Sequence, residues 1–165
     1  MTEKQREIRR VLESAIECFN NNEKYLIEND LSERCLCSKF AMYIERALVG
    51  TEFNDYMVDV EYNRGSFGKG FSPKILCERN IVVDLVVHKR GYDEECGFDN
   101  LFCVEMKKKY RNVDLTSDKD RLQKMTDNAY GFCYRSGFMI LICADKLREE
   151  YKLEIEHEYL NVCDF

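Results

Sequence analysis

The sequence has a single proline, Pro73, and no tryptophan. No apolar stretch approaches the roughly 18 residues that a membrane helix needs, so none is expected. Basic charge is the minority sign, with 25 Lys and Arg against 31 Asp and Glu and a net charge of −6. A nucleic-acid binder more often shows a basic face, and only "KKKYR" at Lys107 to Arg111 forms a compact basic patch. Taken alone, that patch reads best as a solvated strand exit. Histidine is scarce. His88 and His157 are the only two, and neither has a cysteine or acid spaced to make a nucleophilic triad. There is no P-loop, no G-x-G-x-x-G and no H-E-x-x-H. The nine cysteines are odd in number and scattered, and Cys35-Leu36-Cys37 lacks the C-x-x-C spacing of zinc sites. They read as reduced thiols, mostly small core fillers. The opening "MTEKQREIRR" is charged throughout and unlike a secretory signal, so the expected location is the cytoplasm.

With 165 residues, 45% hydrophobic and 34% charged, the composition is that of one globular domain with a real core. Its centre is the stretch from Ile81 to Lys109. Ile81 to Val87 is apolar apart from Asp84 and reads as a buried strand. Leu101 to Met106 reads as a second strand, with Glu105 near its end and Lys107 just beyond. A polar loop with Gly91 and Gly97 separates them. Alternation puts Glu105 and Lys107 on one face, about 7 Å apart at Cα. If the strands pair, Asp84 comes level with them. A lone acid in an apolar strand is usually an edge residue or a satisfied core group. Three ionisable groups in adjacent hydrophobic strands are harder to dismiss, because burying unpaired charge costs several kcal/mol. Two carboxylates on one face repel, and a hard cation such as Mg²⁺ is the usual remedy. With a lysine beside the metal's water, the constellation suits hydrolysis of a phosphodiester.

Asp84 followed 21 positions later by Glu105-Met106-Lys107 resembles the active-site pattern of the PD-(D/E)XK nuclease superfamily. The flanking "DLVVHKRG" and the upstream "EYNR" are similar to small stand-alone bacterial members. Val83 stands where many members carry proline, which is not a ligand. The resemblance covers roughly residues 30 to 144. It implies a restriction-endonuclease-like α/β sandwich, with a central mixed sheet of four to five strands flanked by helices. The acids would lie at one edge where the sheet opens. It further implies an Mg²⁺- or Mn²⁺-dependent nuclease acting on DNA. Asp84, Glu105 and the Met106 carbonyl would hold the metal, and Lys107 would serve the attacking water or the scissile phosphate. A glutamate on the helix before the first core strand often points into such sites, and Glu33 matches that position. Its plainer role is a favourable charge near a helix N-terminus. Glu45 lies about 18 Å further along the same helix and cannot reach the same metal.

In chain order, Thr2 to Phe19 reads as a helix with a Thr2/Gln5 capping box, ended by "NNNE" at Asn20 to Glu23. A second helix starts at Asp30 or Ser32 and stops at Gly50, burying Leu36, Phe40, Tyr43, Ala47 and Leu48. Tyr56 to Tyr62 alternates like a strand with Tyr56, Val58, Val60 and Tyr62 inward. The glycine-containing loop "NRGSFGKGFSPK" carries Arg64, Lys69 and Lys74, which can meet a phosphate backbone. After Lys109, Ser117 or Asp118 caps a helix running to about Tyr130, with Leu122, Met125, Thr126 and Ala129 inside. In related proteins this crossover helix often lends a basic or amide side chain to the site, and Arg121 and Lys124 fall on it. Gly137 to Ala144 reads as a strand buried on both faces and parallel to the one before the helix. The tail reads as a short helix followed by an edge strand. His88 shares a face with Asp84 but lies about 13 Å off, at the rim.

These readings make residues 1–165 one domain, with an N-terminal helical extension over 1–29, a core over 30–144 and a tail over 145–165. The expected partner is nucleic acid, with Lys108, Lys109, Arg111, Arg64 and Lys69 as backbone contacts, and a homodimer is compatible. The competing reading is a nuclease-like module that binds nucleic acid or a protein without turnover. The acidic net charge favours it, whereas an intact Asp84, Glu105 and Lys107 set argues against it.

Overall fold

A computed structural model describes residues 2–62, 82–90, 100–109, 113–127 and 132–154, and the backbone of four two-residue strands between 65 and 80. Helix α1 (Glu3–Asn22) opens with the expected reciprocal cap. Thr2 Oγ1 accepts the Gln5 N–H at 3.2 Å, and Gln5 Oε1 accepts the Thr2 N–H at 2.7 Å. A five-residue helix α2 (Lys24–Glu28), which no periodicity announced, follows it. Ser32 caps α3 (Glu33–Leu48) through the Cys35 N–H, and Gly50, at φ +81°, turns the chain out beyond its end.

Strand β1 (Met57–Val60) is followed by two small ladders, β2 (Gly65–Ser66) with β3 (Phe71–Ser72), and β4 (Ile75–Leu76) with β5 (Arg79–Asn80). The stretch read as a plain loop thus carries paired backbone. Strands β6 (Leu85–His88) and β7 (Asn100–Lys108) precede helix α4 (Thr116–Thr126), and β8 (Ser136–Ile142) and β9 (Leu147–Glu154) complete the sheet. The sheet is mixed and open, in the order β1-β6-β7-β8-β9. Only β7 and β8 are parallel, joined across α4, and the other neighbours are antiparallel.

Helices α1 and α3 cover one face of the sheet and α4 the other, so two apolar clusters form. The larger holds Ile8, Leu12, Phe19, Leu36, Phe40, Val104 and Ile140. The smaller, under α4, holds Val86, Cys103, Leu122, Met125, Tyr134 and Met139. Strand β8 is buried along its whole length, as a strand covered on both faces must be. Both α1 and β9, which flank the 30–144 stretch, contribute to the first cluster. No described helix is long and apolar enough to cross a membrane.

Four local expectations are corrected. Asp84 is not inside a strand but in a bend one residue before β6. Tyr62 does not continue the inward row of β1. Glu61 takes φ +52°, ending the strand, and Tyr62 turns to the opposite face, where its ring meets His88 edge-on at 4.4 Å. Helix α4 is capped at Leu115 without a side-chain bond and ends at Thr126, with Asp118 inside the first turn. The tail forms no short helix before β9, because Cys143 N–H bonds to the Lys146 carbonyl in a tight turn and the chain doubles back along β8.

Helix α4 approaches the sheet closely at Gly137 in β8. A Cβ there would lie 3.2 Å from Thr126 Cγ2 and 3.5 Å from Leu122 Cβ. Gly137→Val should therefore destabilise the protein by about 1–3 kcal/mol despite valine's strand preference. Denaturant melts of the two proteins measure this.

Candidate active site at the end of the central strands

Strand β7 is longer than β6. Their ladder ends at the Leu85–Val104 pair, and β7 continues through Glu105 to Lys108 with no strand on that side among the described residues. Alternate N–H groups along that overhang point into the gap and need acceptors. Two carboxylates supply them. Asp84 Oδ2 accepts the Met106 N–H at 2.7 Å, and Glu33 Oε1, from the first turn of α3, accepts the Lys108 N–H at 2.8 Å. A strand residue's N–H and C=O point the same way, so the Met106 carbonyl also faces this gap. The Asp84 carbonyl in turn accepts the Glu61 N–H at 3.0 Å and the Cys37 thiol at 3.3 Å. The site thus lies at the end of the central strands rather than at a sheet edge.

Glu105 lies on the α4 face, 3% exposed, beside Cys103 and across from Met139. Its Oε1 has no hydrogen bond. The Arg121 guanidinium comes within 2.9 Å of that oxygen, but the Nη1 hydrogen bond goes to the Val82 carbonyl at 3.1 Å, and Nη2 bonds Asp118 Oδ1 at 3.1 Å. Burial, followed by the neighbouring Asp84 charge, pushes the Glu105 carboxyl up to about 9 against the opposing pull of Arg121. The Asp84 carboxylate is thus close enough to disfavour a charge on Glu105. The same surroundings make Cys37 inert, because burial and the charges of Asp84, Glu105 and Glu61 push its thiol up to about 12.

Lys107 is half-buried on the face of Glu105, and its side chain has no hydrogen bond or ion pair among the described residues. Of the other candidates, Glu33 reaches the overhang, whereas Glu45 is exposed further along α3. His88 is not a rim residue. It is buried, its Nε2 is 2.9 Å from Asp59 Oδ2, and Arg90 also binds that carboxylate. Lys108 Nζ is bound to Asp30 at 2.6 Å, while Lys109 is exposed and Lys124 pairs with Asp120 at 2.6 Å. Arg64, Lys69, Lys74 and Arg111 lie outside the described residues.

Sequence reasoning placed Arg121 on the right helix but gave Asp118 only a capping role. Their i,i+3 spacing on α4 was the available signal that the acid holds the guanidinium. Cys37 is a core filler, as read, and its thiol also supports the Asp84 backbone.

Among the described residues no three His, Cys, Asp or Glu side chains form a metal-ligating group. The donors here are two carboxylates and a main-chain carbonyl, all oxygen, with one carboxylate oxygen unbonded. That set fits Mg²⁺ or Mn²⁺, which takes one or two carboxylates and fills its remaining positions with water. No family model, curated protein or solved structure matches this chain.

Glu105 binds its proton up to about pH 9 in the folded protein but only below about pH 4.5 when unfolded. The stability this contributes is therefore complete below pH 4.5 and falls as pH rises through 9. In metal-free buffer at pH 8, Glu105→Gln should be more stable than the parent by about 1–3 kcal/mol and show a flatter decline with pH. Thermal melts from pH 5 to pH 9 check this, and a loss of stability would show that burial does not govern Glu105.

Proposed function

We propose that this protein is an Mg²⁺- or Mn²⁺-dependent nuclease of the PD-(D/E)XK type, hydrolysing phosphodiester bonds of DNA. One observation carries the reading. Asp84 and Glu105 are held together at the end of the central strands, and Lys107, on the same face, is committed to no acid among the described residues. A structural ion-pair cluster would have used that lysine to neutralise the acids. The order of helices and strands, with the parallel crossover after β7, supports a restriction-endonuclease-like fold.

Asp84, Glu105 and the Met106 carbonyl would hold the cation, which supplies Lewis acidity toward a phosphoryl oxygen and a more acidic water. The chain's own residues do the rest. Asp84 is fixed by the Met106 N–H, so its free oxygen has one orientation. Lys107 orients the attacking water or neutralises charge on the phosphate. Glu33, anchored through one oxygen on Lys108 N–H, has its other oxygen for a second cation or a water.

A module without turnover is the second reading, favoured by Arg121, a built-in cation beside Glu105. The two readings part on substitution. Asp84→Asn and Glu105→Ala should abolish Mn²⁺ binding in titration calorimetry and any cleavage of DNA. Lys107→Ala should bind Mn²⁺ like the parent yet lose cleavage by at least about 100-fold, the scale of a lost electrostatic or proton-transfer group. A parent that neither binds Mn²⁺ nor cuts DNA leaves the module.

Among the described residues of the basic patch, Lys109 is exposed and Lys108 is engaged with Asp30. Lys109→Ala should reduce the salt dependence of DNA binding by about one unit of slope, and Lys108→Ala by less. Fluorescence anisotropy across a salt series measures both slopes.

A further inference from the structure

The hydrolytic roles above leave one charged side chain of the site unused. Arg121 faces three oxygens: Glu105 Oε1 at 2.9 Å, the Val82 carbonyl at 3.1 Å and Asp118 Oδ1 at 3.1 Å. Its two hydrogen bonds go to Val82 and Asp118, so its hold on Glu105 is Coulombic and leaves Oε1 unbonded. The Asp118 carboxylate is buried on the same helix, three residues away, and anchors the guanidinium from behind. Arg121 itself is 31% exposed, which gives its outer end a path toward solvent. A guanidinium and a divalent cation at the same carboxylate oxygen would repel by several kcal/mol at an effective dielectric near 20. They cannot share Glu105 Oε1.

We propose that Arg121 is the stand-in cation of the acid pair. A divalent cation and the guanidinium compete for Glu105. Loading the site turns Arg121 outward, hinged on Asp118, to a phosphate at the mouth of the site. The inference rests on Asp84 and Glu105 being a cation site. It adds that cation binding and phosphate binding are linked through one side chain. Without a cation, Arg121 neutralises the acids and is withheld from the substrate. With one, it is released, so the anionic substrate meets both positive charges together. The role is a positioning one until the phosphate arrives.

The test is Mn²⁺ titration calorimetry on the full chain, comparing the parent with Arg121→Gln, Arg121→Lys and Glu105→Gln. Removing the competing charge should tighten Mn²⁺ binding about tenfold in Arg121→Gln, equal to about 1.4 kcal/mol. Arg121→Lys should stay near the parent, and Glu105→Gln should bind no Mn²⁺. In a Lys107→Ala background with saturating Mn²⁺, adding Arg121→Gln should weaken binding of a labelled single-stranded DNA about tenfold by anisotropy. If Arg121→Gln does not fold, NMR of the parent serves. Its Arg121 Nε–H resonance should move with Mg²⁺ at the same midpoint as binding. Equal or weaker Mn²⁺ affinity in Arg121→Gln, with Glu105→Gln inactive in binding, overturns the role of Arg121 and leaves the cation site standing. Absence of Mn²⁺ binding in the parent and in Arg121→Gln alike overturns both.

Discussion

Strand β7 outruns its neighbour β6, and the arrangement of the site follows from that mismatch. A strand end in the middle of a sheet exposes backbone N–H groups where neither water nor another strand satisfies them fully. The chain answers with carboxylates, Asp84 from the bend before β6 and Glu33 from the first turn of α3. Each bond fixes a side chain that would otherwise rotate freely. The same gap that needs acceptors therefore gathers acids, and it gathers them from two elements far apart in sequence. A cation-binding centre needs this kind of fixed oxygen set on rigid elements.

Glu105 carries the energetic tension. Its position in the middle of β7, under α4, puts a carboxyl in surroundings made for Cys103 and Met139. Burial favours the neutral acid, and the nearby Asp84 reinforces that preference. Arg121 pulls the other way, but its hydrogen bonds are spent on Val82 and Asp118. Keeping such a group in a core strand costs stability that an apolar side chain would not. The cluster of Asp59 on β1, His88 at the end of β6 and Arg90 just beyond differs in kind. Its charges are mutually bonded, and Arg90 first and His88 after it hold Asp59 below the usual carboxylate range. That cluster has the character of a satisfied structural network.

Two packing faces frame this tension. Helices α1 and α3 close the larger apolar cluster and bring Glu33 and Cys37 to the strand ends. Helix α4 closes the smaller one, and its near contact at Gly137 seats it close enough for Arg121 to reach Val82 and Glu105. Each face thus contributes one wall of the site. Neither wall forms without the core behind it.

Periodicity and capping chemistry made much of this legible in the sequence. The Thr2/Gln5 box, the Ser32 cap, the β-branched runs of β6, β7 and β8, and the alternation that puts Glu105 and Lys107 on one face are local properties of the chain. They were readable because they depend on residues within a few positions of each other. The tertiary structure alone decided where the strands stop. Val82 and Val83 are as apolar as the strand that follows, yet pairing begins only at Leu85, because register with β7 and β1 sets the ladder. It likewise decided that the tail reverses along β8 instead of coiling, and that Asp118 holds Arg121 instead of capping α4. Hydrogen-bond partners across a sheet and charges across a packed face are long-range contacts. They depend on how separate elements dock, which no local pattern of residues encodes.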